Sequence, residues 1–471
     1  MASGGEHHEE EEDYYGDAAT IGALRRLYAG YPWVDVASLG PESSGRACAC
    51  AAQAVRSVGR RVAFLVMRQD GATVQCVDAG GGAGGDGGMA RFAAGLSRES
   101  VVDVAGAVSL PREPVRGTTQ QAVEIRVEKL HCVSRAVPAL PIGVDDAARS
   151  EEDVARAKAV SSCRRAGGQV VHVGHDKRLD YRVIDLRTAA NQAIFRVQCE
   201  VENIFRQMLL SEGFVGIHTP KLIGGSSEGA AAVFRLDYNG QPSCLAQSPQ
   251  LHKQMVLCDG FGRVFEVGPV FRAEHSNTHR HLCEFVGLDV EMALRDHYIE
   301  VCHVVDRLFV AMFDHLNDKC GKELEAIRRQ YPFQPLKKPG YTWTPWADLN
   351  TEAEKKLGDL VRDRYGTEFY MLCRYPSAVR PFYTMPCPED PRYSCSFDVF
   401  VRAEEIISGA QRVHVPELLA SIATYVNAFR YGAPPHGGFG VGLERVVMLF
   451  CGLGNIRKTS LFPRVPRRLA P

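Results

Sequence analysis

Two apolar arms separated by a polar tract place the strongest constraint on this chain. Residues 265–271 and 285–292 are the arms, and the tract between them carries Arg272, Glu274, His275, His279, Arg280 and His281. Runs of this kind predict two strands joined by a long loop. Arg272 stands where the first arm ends, so a rigid strand edge can hold its guanidinium, whose five donors form a fixed fork suited to a phosphate. A basic loop can equally be a solvated face. The rest of the chain has to choose between the two readings.

At 471 residues the chain has room for two or three domains and a large core. Its 55 basic and 56 acidic side chains nearly cancel, so any nucleic-acid footprint must be local. Fifteen cysteines without a CxxC pair point to reduced thiols in a reducing compartment and away from a structural zinc site. No apolar run approaches the roughly 18 residues that span a bilayer. The first twenty residues hold seven acids and no lysine or arginine, the opposite of a presequence. Residues 1–20 are expected to be a disordered acidic tail, and the cytoplasm is the expected address.

Residues 21–137 are rich in strand signals. Runs at 63–68 and 72–77 flank the turn Gln69-Asp70-Gly71, and further runs fall at 101–110 and 123–133. Residues 47–52, ACACAA, are poor strand formers, and 79–88 is a glycine-rich loop. Several short strands predict a small barrel, which could be an OB-fold, an SH3-like module or half a sandwich. Residues 138–180 have an extended lead and a short charged helix, a candidate hinge, and 181–471 forms the remaining domain. There Ile194, Val197, Val201, Phe205 and Met208 recur at helical spacing up to Gly213, followed by a short strand and Pro220.

Four further clusters carry chemistry. Residues 224–230, GGSSEGA, form a small flexible stretch around Glu228 that fits a lid. In 247–253, QSPQLHK, Gln250 and Lys253 fall three apart behind Pro249, so a helix would point them the same way. Residues 396–412 bring Asp398, Glu404, Glu405 and Ser408, acids and a hydroxyl suited to Mg²⁺, ahead of the cation Arg412. Residues 437–450 are a glycine-rich strand running into a helix with Arg445, without the spacing of a GxGxxG or GKS loop. Taken singly, each has a plain alternative: a connector, a solvated lysine, a surface edge, a tight turn.

Taken together, they resemble a known family. FRAE at 271–274, THRH at 278–281 and EF at 284–285 resemble the second motif of the class II aminoacyl-tRNA synthetases, and their surroundings look like the aspartyl branch in its cytoplasmic, plant-like form. The segment 190–220 resembles the first motif and 437–450 the third. The resemblance implies an α+β protein with an N-terminal OB-fold that binds the anticodon and an antiparallel catalytic sheet flanked by helices. It implies a homodimer acting on ATP, L-aspartate and tRNA(Asp) with Mg²⁺, without a membrane. Arg272, Arg445 and Glu405 would be catalytic. Arg272 would hold the α-phosphate, His281 and Arg445 the γ-phosphate, Glu274 the adenine edge and Phe285 its ring. Ser227, Glu228, Gln250, Lys253, Asp289, Ser408 and Arg412 would surround the amino acid, with Lys253 and Arg412 as two cations on its side chain. Glu405, Ser408 and Asp398 would take the metal.

In the barrel, the same resemblance makes Phe64 a stacking platform for an anticodon base and gives Gln75 and Glu124 the base edges; by pattern alone Phe64 reads as core. The alternatives are a non-catalytic paralogue that binds RNA or a protein partner, and the asparagine enzyme. The chain departs from the family in being shorter at 331–349, where a strand and a helix are missing, and at 418–429. It also carries Ala403, Ala230 and His275 in place of Gly, Gly and Asn. A missing strand would expose a sheet edge, and an alanine at a positive-φ glycine position would be strained.

Overall fold

A computed structural model describes residues 14–18, 20–43, 46–50, 52–57, 62–78, 87–163, 171–228, 233–336, 343–345, 351–419 and 423–470. They fall into two compact units, Met1–Gly143 and Val144–Pro471. The glycine-rich stretch 79–86 and Ala230 lie outside the described residues.

Among the described residues the first unit holds a seven-stranded sheet. Its strands are β1 (Tyr15–Asp17), β2 (Arg46–Cys50), β3 (Ala52–Ser57), β4 (Ala63–Gln69), β5 (Ala72–Asp78), β6 (Val101–Ser109) and β7 (Glu124–Ser134). Their order is β2-β6-β7-β5-β4-β3, with β1 pairing β7. Asp70 and Gly71 take φ of 49° and 83°, the two left-handed positions of a tight hairpin between β4 and β5. Side chains alternate across a strand, so Ala63, Leu65 and Met67 enter the core while Phe64 turns to the other face, half-buried. That placement corrects the core reading of Phe64. The acidic tail also ends before residue 20, because Tyr15–Asp17 pairs in parallel with β7. The alanine-rich β2 and β3 form despite their composition, since each gains a ladder partner, β6 and β4 respectively.

The second unit is organised by an eight-stranded sheet, again among the described residues. It contains β8 (Val215–Gly216), β12 (Arg263–Phe271), β13 (Glu284–Ala293), β14 (Trp343–Pro345), β15 (Phe369–Cys373), β16 (Ser396–Val401), β17 (Glu404–Gln411) and β18 (His436–Gly442), in the order β14-β15-β16-β17-β18-β13-β12-β8. A smaller sheet is formed by β9 (Leu222–Ile223), β10 (Arg235–Tyr238) and β11 (Gln241–Leu245). β12 and β13 pair antiparallel from Arg263↔Met292 to Phe271↔Glu284, which leaves 272–283 as the expected long loop. Leu288, Val290 and Met292 face a core built with the helices Ala189–Ser211, Ile299–Lys319 and Leu443–Phe450. Phe285, Gly287, Asp289 and Glu291 therefore share the opposite face.

The helix Ala189–Ser211 starts at Thr188, whose hydroxyl accepts from Asn191 N, and is followed by Gly213 at φ 79°. Its stripe of Ile194, Val197, Val201 and Phe205 is buried within its own unit. The stripe is thus satisfied without a second chain. Leu210, Val215, Leu222, Leu236 and Tyr238 nevertheless remain exposed nearby in sequence.

The shortened segment keeps a strand. β14 pairs in parallel with β15 at the sheet edge, and 337–342 and 346–349 of this segment lie outside the described residues. Brevity and the missing N–H of Pro345 blunt this edge against further pairing. Ala403 sits in the β16–β17 turn at φ 62°, the strained conformation its sequence position predicts.

Candidate active site

One cavity of about 380 Å³ opens on the sheet face away from the helical core. Arg272, Glu274, His281, Phe285, Glu405 and Arg445 line it, as do Glu228, Gln250, Asp289, Ser408 and Arg412. Of the expected site residues in this unit, Ser227, Lys253 and Asp398 stand behind the wall. Pairing explains the convergence: Asp289 faces Gly440 across β13 and β18, and Ser408 faces both Gly440 and Asp398.

Arg272 donates to Glu228 at 3.4 Å and lies 5.6 Å from the centre of the Phe285 ring, so the strand-end arginine meets the acid of the 224–228 stretch. Arg445 donates to the main-chain carbonyls of Glu405 and Arg280, each at 3.2 Å. The His281 ring is fixed through Nδ1 by Thr278 at 2.5 Å and Ser276 at 3.0 Å, with Glu274 at 3.8 Å from Nε2. Burial holds its pKa below the usual imidazole value.

The helix Gln250–Cys258 forms behind Pro249, as expected, and brings Lys253 into a buried lattice of charge. Lys253 Nζ meets Asp289 Oδ1 at 2.9 Å and Glu291 Oε2 at 3.4 Å, and donates to the carbonyls of Val290 and Phe439. Arg412 forks onto Glu291, Nε to Oε1 at 3.0 Å and Nη2 to Oε2 at 3.3 Å. The picture of two bare cations is thereby corrected, since two carboxylates already balance them. Burial works against ionised Glu291, but Arg412 and Lys253 outweigh it and hold its pKa below the carboxylate range. Asp289 goes the other way, raised by burial despite Lys253.

The glycines of β18 make this lattice possible. A Cβ on Gly438 would lie 2.0 Å from Val290 O and 2.4 Å from Glu291 Oε2, and one on Gly440 would lie 3.1 Å from Asp289 Oδ1. Close approach here serves the protein's own carboxylates.

The metal-like cluster has a guanidinium beside it. Arg380 donates to Asp398 Oδ2 at 2.7 Å and to Ser408 Oγ at 3.0 Å, while Asp398 Oδ1 is buried without a partner. Burial, reinforced by Asp398, pushes the Glu405 pKa up to about 7 against the pull of Arg445 and Arg380. No group of three His, Cys, Asp or Glu side chains poised for a metal occurs among the described residues. A hydroxyl, an orphaned carboxylate oxygen and a carboxyl that resists ionising alone still fit a hard divalent cation, whose charge would relieve both acids.

The alternation that places Asp289 on this face of β13 also places Glu291, so strand period is the sequence signal that identifies it. Arg380 and Tyr383 line the cavity from an irregular segment that carries no periodic or motif signal. In the first unit, Gln75 Nε2 donates to Glu124 Oε2 at 3.1 Å, and Phe64 lies on the same outer face.

The family model for tRNA synthetases class II (D, K and N) matches residues 174–466. Cytoplasmic aspartate–tRNA ligase 2 of Arabidopsis thaliana is 56% identical over 450 residues, covering 88% of this chain and 79% of the relative. The structure of the aspartyl tRNA synthetase from Entamoeba histolytica superposes with a TM-score of 0.87 at 38% identity, over 98% of this chain and 96% of that one. An asparaginyl-tRNA synthetase from Pyrococcus horikoshii, complexed with asparaginyl-adenylate, reaches 0.76 at 27% identity, over 93% and 99%. Among the described residues no helix is long and apolar enough to cross a membrane.

Proposed function

The chain belongs to the class II tRNA synthetases of the D, K and N group, and we propose that within that family it is a cytoplasmic aspartate–tRNA ligase using ATP, L-aspartate and tRNA(Asp). The observation that carries this reading is a single cavity with Arg272, His281 and Arg445 at one end and Gln250, Asp289 and Arg412 at the other.

The chemistry follows from the two ends. Arg412, with Lys253 behind it and Gln250 bonded to it, attracts the side-chain carboxylate of aspartate, while Glu228 and Asp289 offer acceptors to its ammonium group. Phe285 offers a face to adenine, and Arg272 meets the α-phosphate. The aspartate α-carboxylate then attacks the α-phosphorus, the bond to the β-phosphate oxygen breaks, and aspartyl-adenylate and pyrophosphate result. The terminal ribose hydroxyl of tRNA next attacks the acyl carbon and AMP leaves. Positioning and fixed positive charge suffice, without a protein nucleophile. Glu405, Ser408 and Asp398 would hold Mg²⁺, which would supply charge neutralisation on the phosphates; exchange that persists in excess chelator would remove this assignment. Phe64, Gln75 and Glu124, on one face of the N-terminal OB-fold, would read the anticodon by stacking and edge contacts.

Two copies would pair through the helix and strand at 190–220, whose exposed Leu210 and Val215 favour a covered surface. Sedimentation of monomer alone at micromolar concentration would count against that pairing. Aspartate-dependent ATP–pyrophosphate exchange tests the activity itself: the purified protein should catalyse it, and no signal above background would remove the enzymatic reading.

A further inference from the structure

Beneath the amino-acid end of the cavity, a chain of buried polar groups has its hydrogen-bond direction fixed from one end. Arg412 can only donate. Gln250 therefore turns its amide oxygen towards Arg412, accepting from Nε at 3.2 Å and Nη2 at 3.3 Å, and the same oxygen accepts from Gln254 Nε2 at 2.5 Å. Gln254 in turn directs its oxygen away from Gln250, where it accepts from the Tyr425 hydroxyl at 2.7 Å and lies 3.3 Å from Nε2 of His436. The other ring nitrogen of His436 is 2.8 Å from the Pro434 carbonyl. Two acceptors thus face two ring nitrogens. A neutral imidazole has one N–H and would aim a lone pair at one of those oxygens, whereas an imidazolium satisfies both.

The charge count gives this arrangement a purpose. Lys253 and Arg412 are matched one for one by Asp289 and Glu291, so an arriving aspartate side chain adds a buried negative charge with no fresh cation to meet it. His436 is fully buried at the start of β18. The ionisable groups acting on it are Glu291 on β13, Arg412 after β17 and His414 just beyond. Tyr425, from the helix Ala423–Arg430, meets it through Gln254. Burial, with Arg412 and His414, holds its pKa below the ordinary imidazole value in the ligand-free site, and Glu291 opposes them. Another carboxylate beside Arg412 tips that balance upward.

We propose that His436 takes up a second proton from solvent as the substrate's side-chain carboxylate enters, acting as a positioning and specificity residue that makes the pocket positive for a carboxylate and not for an amide. The proposal rests on the aspartate reading. The sign follows from linkage: a group whose pKa is higher in the complex favours binding below its free-state pKa, and the gain is lost as pH rises through its value in the complex.

Calorimetry of aspartate binding to the full-length protein, in two buffers of different ionisation enthalpy near pH 7, reads the proton directly. Wild type should take up a fraction of a proton with aspartate, and H436Q should take up none. In pyrophosphate exchange, H436Q should raise the KM for aspartate about tenfold, flatten its pH dependence, and leave the KM for ATP nearly unchanged. Aspartate binding to wild type without proton uptake overturns the proposal while leaving the aspartate reading standing, and it needs no variant to fold. Absence of both aspartate binding and exchange overturns the two together.

Discussion

The two ends of the cavity handle positive charge differently. At the end proposed to hold phosphate, Arg445 donates to main-chain carbonyls and Arg272 reaches the Glu228 carboxylate at 3.4 Å. At the amino-acid end, Lys253 and Arg412 are locked onto buried Asp289 and Glu291. A polyanionic ligand brings enough charge to organise arginines that have no locked carboxylate partner, and Glu228 can yield to it. A small ligand with one side-chain charge needs a preformed frame. Removing a cation should therefore mean different things at the two ends: lost chemistry at the first, lost chemistry and lost stability at the second.

Lys253→Met should have the larger effect. It leaves Asp289 and Glu291 buried beside a gap, and stranding one side of a buried ion pair typically destabilises by about 3–5 kcal/mol. Urea unfolding should show that loss, along with the loss of aspartate activation. A variant that unfolds like wild type would break the contrast. Arg445→Ala comes next, with about 3 kcal/mol lost from transition-state stabilisation, roughly a hundredfold or more in kcat for exchange. Its unfolding midpoint should move little, because it removes no partner of a buried carboxylate pair. A large stability loss here would show that both ends are structural.

The smallest effect sharpens the contrast from outside it. Ala403 holds a left-handed backbone at φ 62° beside the strands carrying Asp398 and Glu405, and Ala403→Gly should relieve about 1 kcal/mol of strain. The melting temperature should rise without a change in the KM for aspartate. A fall would mean that the turn is unstrained.

Much of this was legible in the residues. The β12–β13 hairpin and its loop follow from two apolar arms, and the helix behind Pro249 from a local start signal. The β4–β5 turn follows from Asp70-Gly71. These features are local in sequence, and local physics decides them. The charge balance was not legible, because Lys253 meets Asp289 and Glu291 across 36 and 38 positions of chain. Counting cations in motifs leaves out anions that only the fold brings alongside. Nor could the helical stripe at 194–208 say whether it faced its own core or a second chain, since both burials demand the same spacing. Arg380, a lone arginine in an irregular segment, finds Asp398 and Ser408 only through the packing of that segment on the sheet.

The ratio of pyrophosphate exchange with aspartate to that with asparagine tests the preformed frame at the proposed amino-acid end most directly. A site built around a specific polar partner can reject its isostere by roughly 10⁴-fold or more. An amide would turn an N–H donor towards Arg412, which itself only donates. Aspartate should therefore support exchange, with asparagine slower by about that factor. Equal exchange with the two amino acids, or a preference for asparagine, would contradict the frame and move the assignment to the asparagine enzyme.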